Sequence, residues 1–97
     1  MTLPLRWTEQ AVAQLGAVAE HIAATSPVYA EQVVDRIVHR LGQAQRFPES
    51  GRVVSEYERA EIRELIEFPY RVIYRVGPEA IDVVAILHSR QDLGEHR

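Results

Sequence analysis

The chemistry open to this chain is set by its cations. Eleven of its 97 residues are arginine and none is lysine or cysteine, while four are histidine. Arginine binds anions bidentately through a planar fork but accepts no proton near neutral pH. Lysine-type general bases, Schiff bases and thiolate sites are therefore absent. The acid–base candidate is His88, because an imidazole titrates near neutrality. Beside such cations His88 could act as a general acid or base. The plainer reading is that His88 caps or braces the end of a strand. Arg52, Arg63, Arg71, Arg75 and Arg90 are the candidates for anion or partner binding. All but Arg90 have a structural alternative. Arg63 could pair with Glu64. Arg52 could brace the turn before it. Arg71 and Arg75 could be solvated edge charges that resist aggregation. Binding is favoured for these two, because with Ile73 between them they form a mixed apolar and cationic patch. His21 and His39 stand on helices without a matching ligand set. The carboxylates are scattered, and no glycine-rich phosphate loop or nucleophile triad is present. No metal and no cofactor is expected.

The elements that must position these residues are legible from period. Tyr70, Val72, Tyr74 and Val76 share one parity and Arg71, Ile73 and Arg75 the other, which is a strand with a core face and a cationic face. Gly77-Pro78 breaks it. Ile81 to Leu87 is apolar on both parities, the pattern of a strand covered on both sides, and forms a hairpin with its predecessor. Earlier, Leu3 to Trp7 reads as a short first strand. Thr8 is an N-cap for a helix from Glu9 to about Thr25, with Ala11, Val12, Leu15, Val18, Ala19 and Ile22 as its stripe. Gly16 within it would allow close packing on a neighbouring helix. Ser26-Pro27 opens a second helix to about Phe47, striped by Ala30, Val33, Val34, Ile37, Leu41 and Ala44. Pro48 to Gly51 is a turn leading to Arg52-Val53-Val54. A polar stretch over 55–59 follows, then a strand over 60–68 ended by Pro69.

The outline is β-α-α-β-β-β, an α+β fold. A helical hairpin lies on one face of a mostly antiparallel sheet, because the helices must bury their stripes. The other face is left partly open and carries the arginines. The chain reads as one domain, 1–97. Its opening apolar run is too short for a signal peptide, and no stretch approaches a membrane span, so a bacterial cytoplasmic location is expected. The net charge of −3 argues against tight non-specific binding to duplex nucleic acid.

In order along the chain, Trp7, Ser26-Pro27, Phe47-Pro48 with Gly51-Arg52, Ile62-Arg63-Glu64-Leu65, Tyr70-Arg71-Val72-Ile73-Tyr74-Arg75, and Val84 to Arg90 together resemble the RelE/ParE family of type II toxins, the ParE branch more than the RelE branch. The resemblance covers nearly the whole chain and implies the same fold. It implies a toxin neutralised by a cognate antitoxin in a hetero-oligomer, which reaches operator DNA only through that antitoxin. ParE-like members poison DNA gyrase and block replication. RelE-like members cleave messenger RNA in the ribosomal A site, often with lysines and a late tyrosine or histidine. This chain has no lysine and no tyrosine after Tyr74. The expectation is therefore a gyrase inhibitor that is not an enzyme. An endoribonuclease using His88, Arg63 and Arg71, or an attenuated toxin that only binds its antitoxin, are the alternatives.

Overall fold

The computed structural model describes residues 2–89. Strand β1 (Leu5–Trp7) leads into helix α1 (Glu9–Ala23), then α2 (Pro27–Arg46), a 3₁₀ turn (Pro48–Ser50), β2 (Arg52–Val53), β3 (Ile62–Glu67), β4 (Tyr70–Val76) and β5 (Ile81–His88). The five strands lie in the order β1-β5-β4-β3-β2. Only β1 runs parallel to its neighbour β5, and the other pairs are antiparallel. The two-residue β2 adds a strand to the sequence-based outline.

Side-chain caps set both helix starts. Thr8 Oγ1 accepts from the Ala11 N–H at 3.1 Å, and Ser26 Oγ accepts from Tyr29 N–H at 3.1 Å ahead of Pro27. α1 stops at Ala23, two residues short of its expected end, because the Thr25 and Ser26 N–H groups both turn back to the Ile22 carbonyl.

α2 buries Ala30, Val33, Ile37, Leu41 and Ala44 against the sheet, most of the stripe read from the sequence. α1 is shallower. Only Ala11 is fully buried, with Leu15, Val18 and Ile22 packed at the core margin. Val12, expected in the stripe, is 55% exposed. Gly16 is exposed too, and a Cβ there would meet nothing within 4 Å, so it is not a helix-packing glycine. The main core joins these helix residues to Leu65, Tyr70, Val72, Tyr74, Ile81, Val83 and Ile86.

β5 is covered on both sides, as its unbroken apolar run implied. The register explains how. Ile73 pairs with Ala85 but Tyr74 pairs with Val83, which leaves Val84 as an extra residue. This bulge flips the parity. Ile81, Val83 and Ile86 face the helices, while Ala85 and Leu87 face the other side. There they meet Val54 and Ile73 in a second, smaller core.

Candidate partner-binding face

The face of the sheet turned away from the helices holds most of the arginines singled out above. Parity puts Arg71, Ile73 and Arg75 of β4 on it. Cross-strand pairing adds Ile62, Glu64 and Ile66 of β3 and Asp82, Ala85 and Leu87 of β5. It is partly open, as expected, and partly covered. The segment 54–61, whose residues 55–59 read from the sequence as a polar stretch and whose residues 60–61 read as the start of the next strand, straps across part of it. Val54 is its anchor, fully buried against Ile73, Ala85 and Leu87. Val54 N–H bonds to the Ile62 carbonyl, and Tyr57 and Glu58 N–H groups turn back to the Val54 carbonyl. Glu58 takes a left-handed φ of 53° in this turn.

Under the strap, Arg71 is buried rather than solvated. Its Nη1 and Nη2 grip the two Glu56 oxygens at 3.0 Å each, and its Nε donates to Glu64 Oε1 at 2.7 Å. Glu64 is buried as well, and its second oxygen accepts from Arg52 Nε at 3.0 Å. These bonds, led by the one to Glu56, hold the Arg71 guanidinium's pKa above its ordinary value despite burial. Arg71 is thus the centre of a cage of fixed charges.

Beyond the strap the same face stays accessible. Arg75 Nη2 donates to Asp82 Oδ2 at 3.0 Å, while Arg6 on β1 donates to Asp82 Oδ1 from Nε at 2.8 Å and to Oδ2 from Nη2 at 3.3 Å. The Arg6 bonds, supported by Arg75, hold the Asp82 carboxyl below the usual range. Between this cluster and the strap runs a groove of about 360 Å³, lined by Thr8, Tyr57, Arg59, Ile62, Ile73, Arg75, Asp82 and Val84.

The remaining candidates lie elsewhere. Arg63 is opposite Tyr74, on the helix side of the sheet. It does not pair with Glu64, since neighbours on a strand point to opposite faces. Instead its guanidinium donates to the carbonyls of Ala60 (2.8 Å), Gly51 (3.0 Å) and Glu49 (3.3 Å), tying the loops at both ends of β2 together. Tyr74 does related work. Its hydroxyl donates to the Pro48 carbonyl at 2.7 Å and accepts from Gly51 N–H at 2.9 Å. A Cβ on Gly51 would stand 2.6 Å from that hydroxyl oxygen and 2.7 Å from the Glu64 carbonyl, so only glycine fits. His88, half-buried at the end of β5, pairs with Tyr70 and meets its ring edge-on, with centroids 5.9 Å apart. Arg90 lies outside the described residues.

The structure therefore joins Arg52 with Arg71, sets Arg75 apart with Asp82 and Arg6, and brings neither Arg63 nor His88 to either group. The carboxylates Glu56 and Asp82 escaped the sequence reading. Asp82 had a signal, as the lone charge in an otherwise apolar strand. Glu56 had none, because its reach depends on the strap's path. Among the described residues no three His, Cys, Asp or Glu side chains gather as a metal site. No described helix is long and apolar enough to cross a membrane.

Comparison with known proteins agrees with this architecture. A chromosomal ParDE toxin–antitoxin system from P. aeruginosa contains a chain that superposes with a TM-score of 0.72 at 26% identity, over 90% of this chain and 96% of that one. The toxin–antitoxin complex RelBE2 of Mycobacterium tuberculosis shares the fold, with a TM-score of 0.60 at 20% identity over 91% and 99% of the two chains. Toxin RelE2 of Caulobacter vibrioides is 31% identical over 84 residues, which are 86% of this chain and 91% of that protein. Residues 5–93 match the family described as the ParE toxin of the type II toxin–antitoxin system parDE. With the fold and nearly the full length in agreement, this chain belongs to the ParE toxins, within the wider RelE/ParE family of type II toxin–antitoxin systems.

Proposed function

We propose that this toxin acts by binding DNA gyrase and blocking replication, without an enzymatic reaction of its own, and that a cognate antitoxin holds it inactive in the bacterial cytoplasm. One observation carries the choice of gyrase over message cleavage. The three residues an endoribonuclease would need are apart. His88 and Arg63 stand opposite Tyr70 and Tyr74, four residues apart along β4 and on strands at either side of it, a backbone separation of about 16 Å. Arg71 is on the other face, held by Glu56 and Glu64. General acid–base catalysis needs its groups within hydrogen-bond reach of one reacting phosphate. The net charge of −3 also works against approach to a ribosomal A site walled with RNA.

The antitoxin half of the reading is supported by the two solved structures named above, each of a toxin–antitoxin system. Message cleavage remains the second reading on one observation, the kinship with a toxin named RelE2.

The deciding experiment adds purified protein to gyrase supercoiling and to messenger RNA on programmed ribosomes. Loss of supercoiling with trapped cleaved DNA and intact message is the expected result, and His88→Ala should keep it. A-site cleavage that His88→Ala abolishes would overturn it.

A further inference from the structure

The chain as a whole is acidic, yet exposed arginines stand at the rim of the groove beside the strap. The Arg6, Arg59 and Arg75 side chains are 63%, 68% and 47% exposed. Asp82 is only 16% exposed, and both of its oxygens are already taken by Arg6 and Arg75. One sunken carboxylate thus holds two guanidinium groups side by side at the rim. Holding them in advance lowers the ordering cost that a ligand must otherwise meet. Glu61 partly offsets Arg59, at 3.4 Å. The floor is apolar, built from Ile62, Ile73 and Val84, and Tyr57 forms a half-exposed wall.

Resting on the toxin–antitoxin reading above, we infer that this groove seats an acidic, aliphatic segment of the antitoxin. An aliphatic side chain lies on the Ile62–Val84 floor under Tyr57, and flanking carboxylates meet Arg75, Arg6 and Arg59. The charge pattern chooses a peptide over a nucleic acid. Duplex DNA brings a phosphate about every 1.7 Å, and its affinity comes from neutralising many of them. Here the three rim arginines are interleaved with Glu58, Glu61 and Glu79 in the flanking segments. A peptide can place single carboxylates where the arginines are and leave gaps where the glutamates are. The groove is smaller than a whole interface, so it is an anchor within one, an aromatic and arginine pocket of the kind that dominates binding energy.

The test uses the full toxin co-purified with the protein encoded by the adjoining gene, with affinity measured at low and moderate salt. Arg75→Glu and Tyr57→Ala alter exposed side chains, and thermal melts confirm that both variants fold. Phe68→Ser, 77% exposed on the turn between β3 and β4, is the control at the far end of the strands. Arg75→Glu should weaken the complex by about tenfold or more, with a larger loss at low salt. Tyr57→Ala should weaken it at every salt, and Phe68→Ser should leave it unchanged. Changing one antitoxin carboxylate to arginine should restore binding to Arg75→Glu. If wild type binds but both groove variants bind equally well, the groove assignment fails while the toxin–antitoxin reading stands. If wild type forms no complex, both fail. If Arg75→Glu affects only retention of a single-stranded RNA oligonucleotide, the face reads nucleic acid and the inference is overturned.

Discussion

Arg71 and Arg75 stand on the same face of the same strand, four residues apart, and the fold gives them opposite fates. Arg71 lies beneath the strap, caged by Glu56 and Glu64 and 10% exposed as a side chain. Arg75 lies past the strap, 47% exposed, and shares Asp82 with Arg6. Residue type and strand parity are identical. What differs is whether a loop carrying a carboxylate passes overhead. A buried guanidinium must have its charge matched and its donors satisfied, or it does not stay buried. An exposed one keeps most of its hydration and remains available to a partner. The covered half of this face is therefore structural, and the uncovered half is where the inferred antitoxin groove lies.

The contrast is best broken at Arg71. Arg71→Ala leaves two carboxylates without their central cation, one of them buried, and should cost about 3–5 kcal/mol. In a chain of this size that is a fall in Tm of well over 10 °C, read by circular dichroism. A loss below about 1 kcal/mol would mean that the cage contributes little. Next is Gly51→Ala, which forces a Cβ against Tyr74 and the Glu64 backbone just before Arg52 enters the cage. Overpacking of this kind costs about 1–3 kcal/mol, measurable by urea titration.

Asp82→Asn probes the open half and should have a smaller effect, with a characteristic pH dependence. The Asp82 pKa is depressed in the folded chain. Its stabilisation is therefore fully present above the unfolded value of about 3.9 and is lost as pH falls through the lower folded value. Wild type and Asp82→Asn should differ in Tm at neutral pH and converge below about pH 4. A constant gap down to pH 2 would show that the carboxylate charge is not what matters. Smallest of all is Arg59→Ala. Its side chain is 68% exposed and its ion pair with Glu61 is loose. The change should stay within about 0.5 kcal/mol, while complex formation with the antitoxin weakens. A stability loss as large as that of Arg71 would erase the distinction between the two halves.

Much of this was readable in advance where the physics is local. Thr8 and Ser26-Pro27 announced both helix starts, because capping depends on a side chain and the next three residues. The α2 stripe and the core parity of Tyr70, Val72 and Tyr74 followed from period alone. The failures are equally specific. Val12 and Gly16 were read as packing residues because a helix pattern does not say how deep the helix sits. The Arg63–Glu64 pairing was excluded by strand alternation, and only the register showed where Arg63 goes instead. The parity of β5 was scrambled by the bulge at Val84, which an apolar run on both parities cannot reveal.

By itself, the sequence determined the chemical inventory, the order of elements and which residues share a strand face. Those follow from side-chain type and the fixed periods of helix and strand. The tertiary structure alone decided which arginines are usable. That depends on the route of the 54–61 strap, on Glu56 reaching Arg71 across fifteen positions of sequence, and on Asp82 meeting Arg6 across seventy-six. Charge pairing acts over a few ångströms in space, and separation along the chain carries almost no information about it.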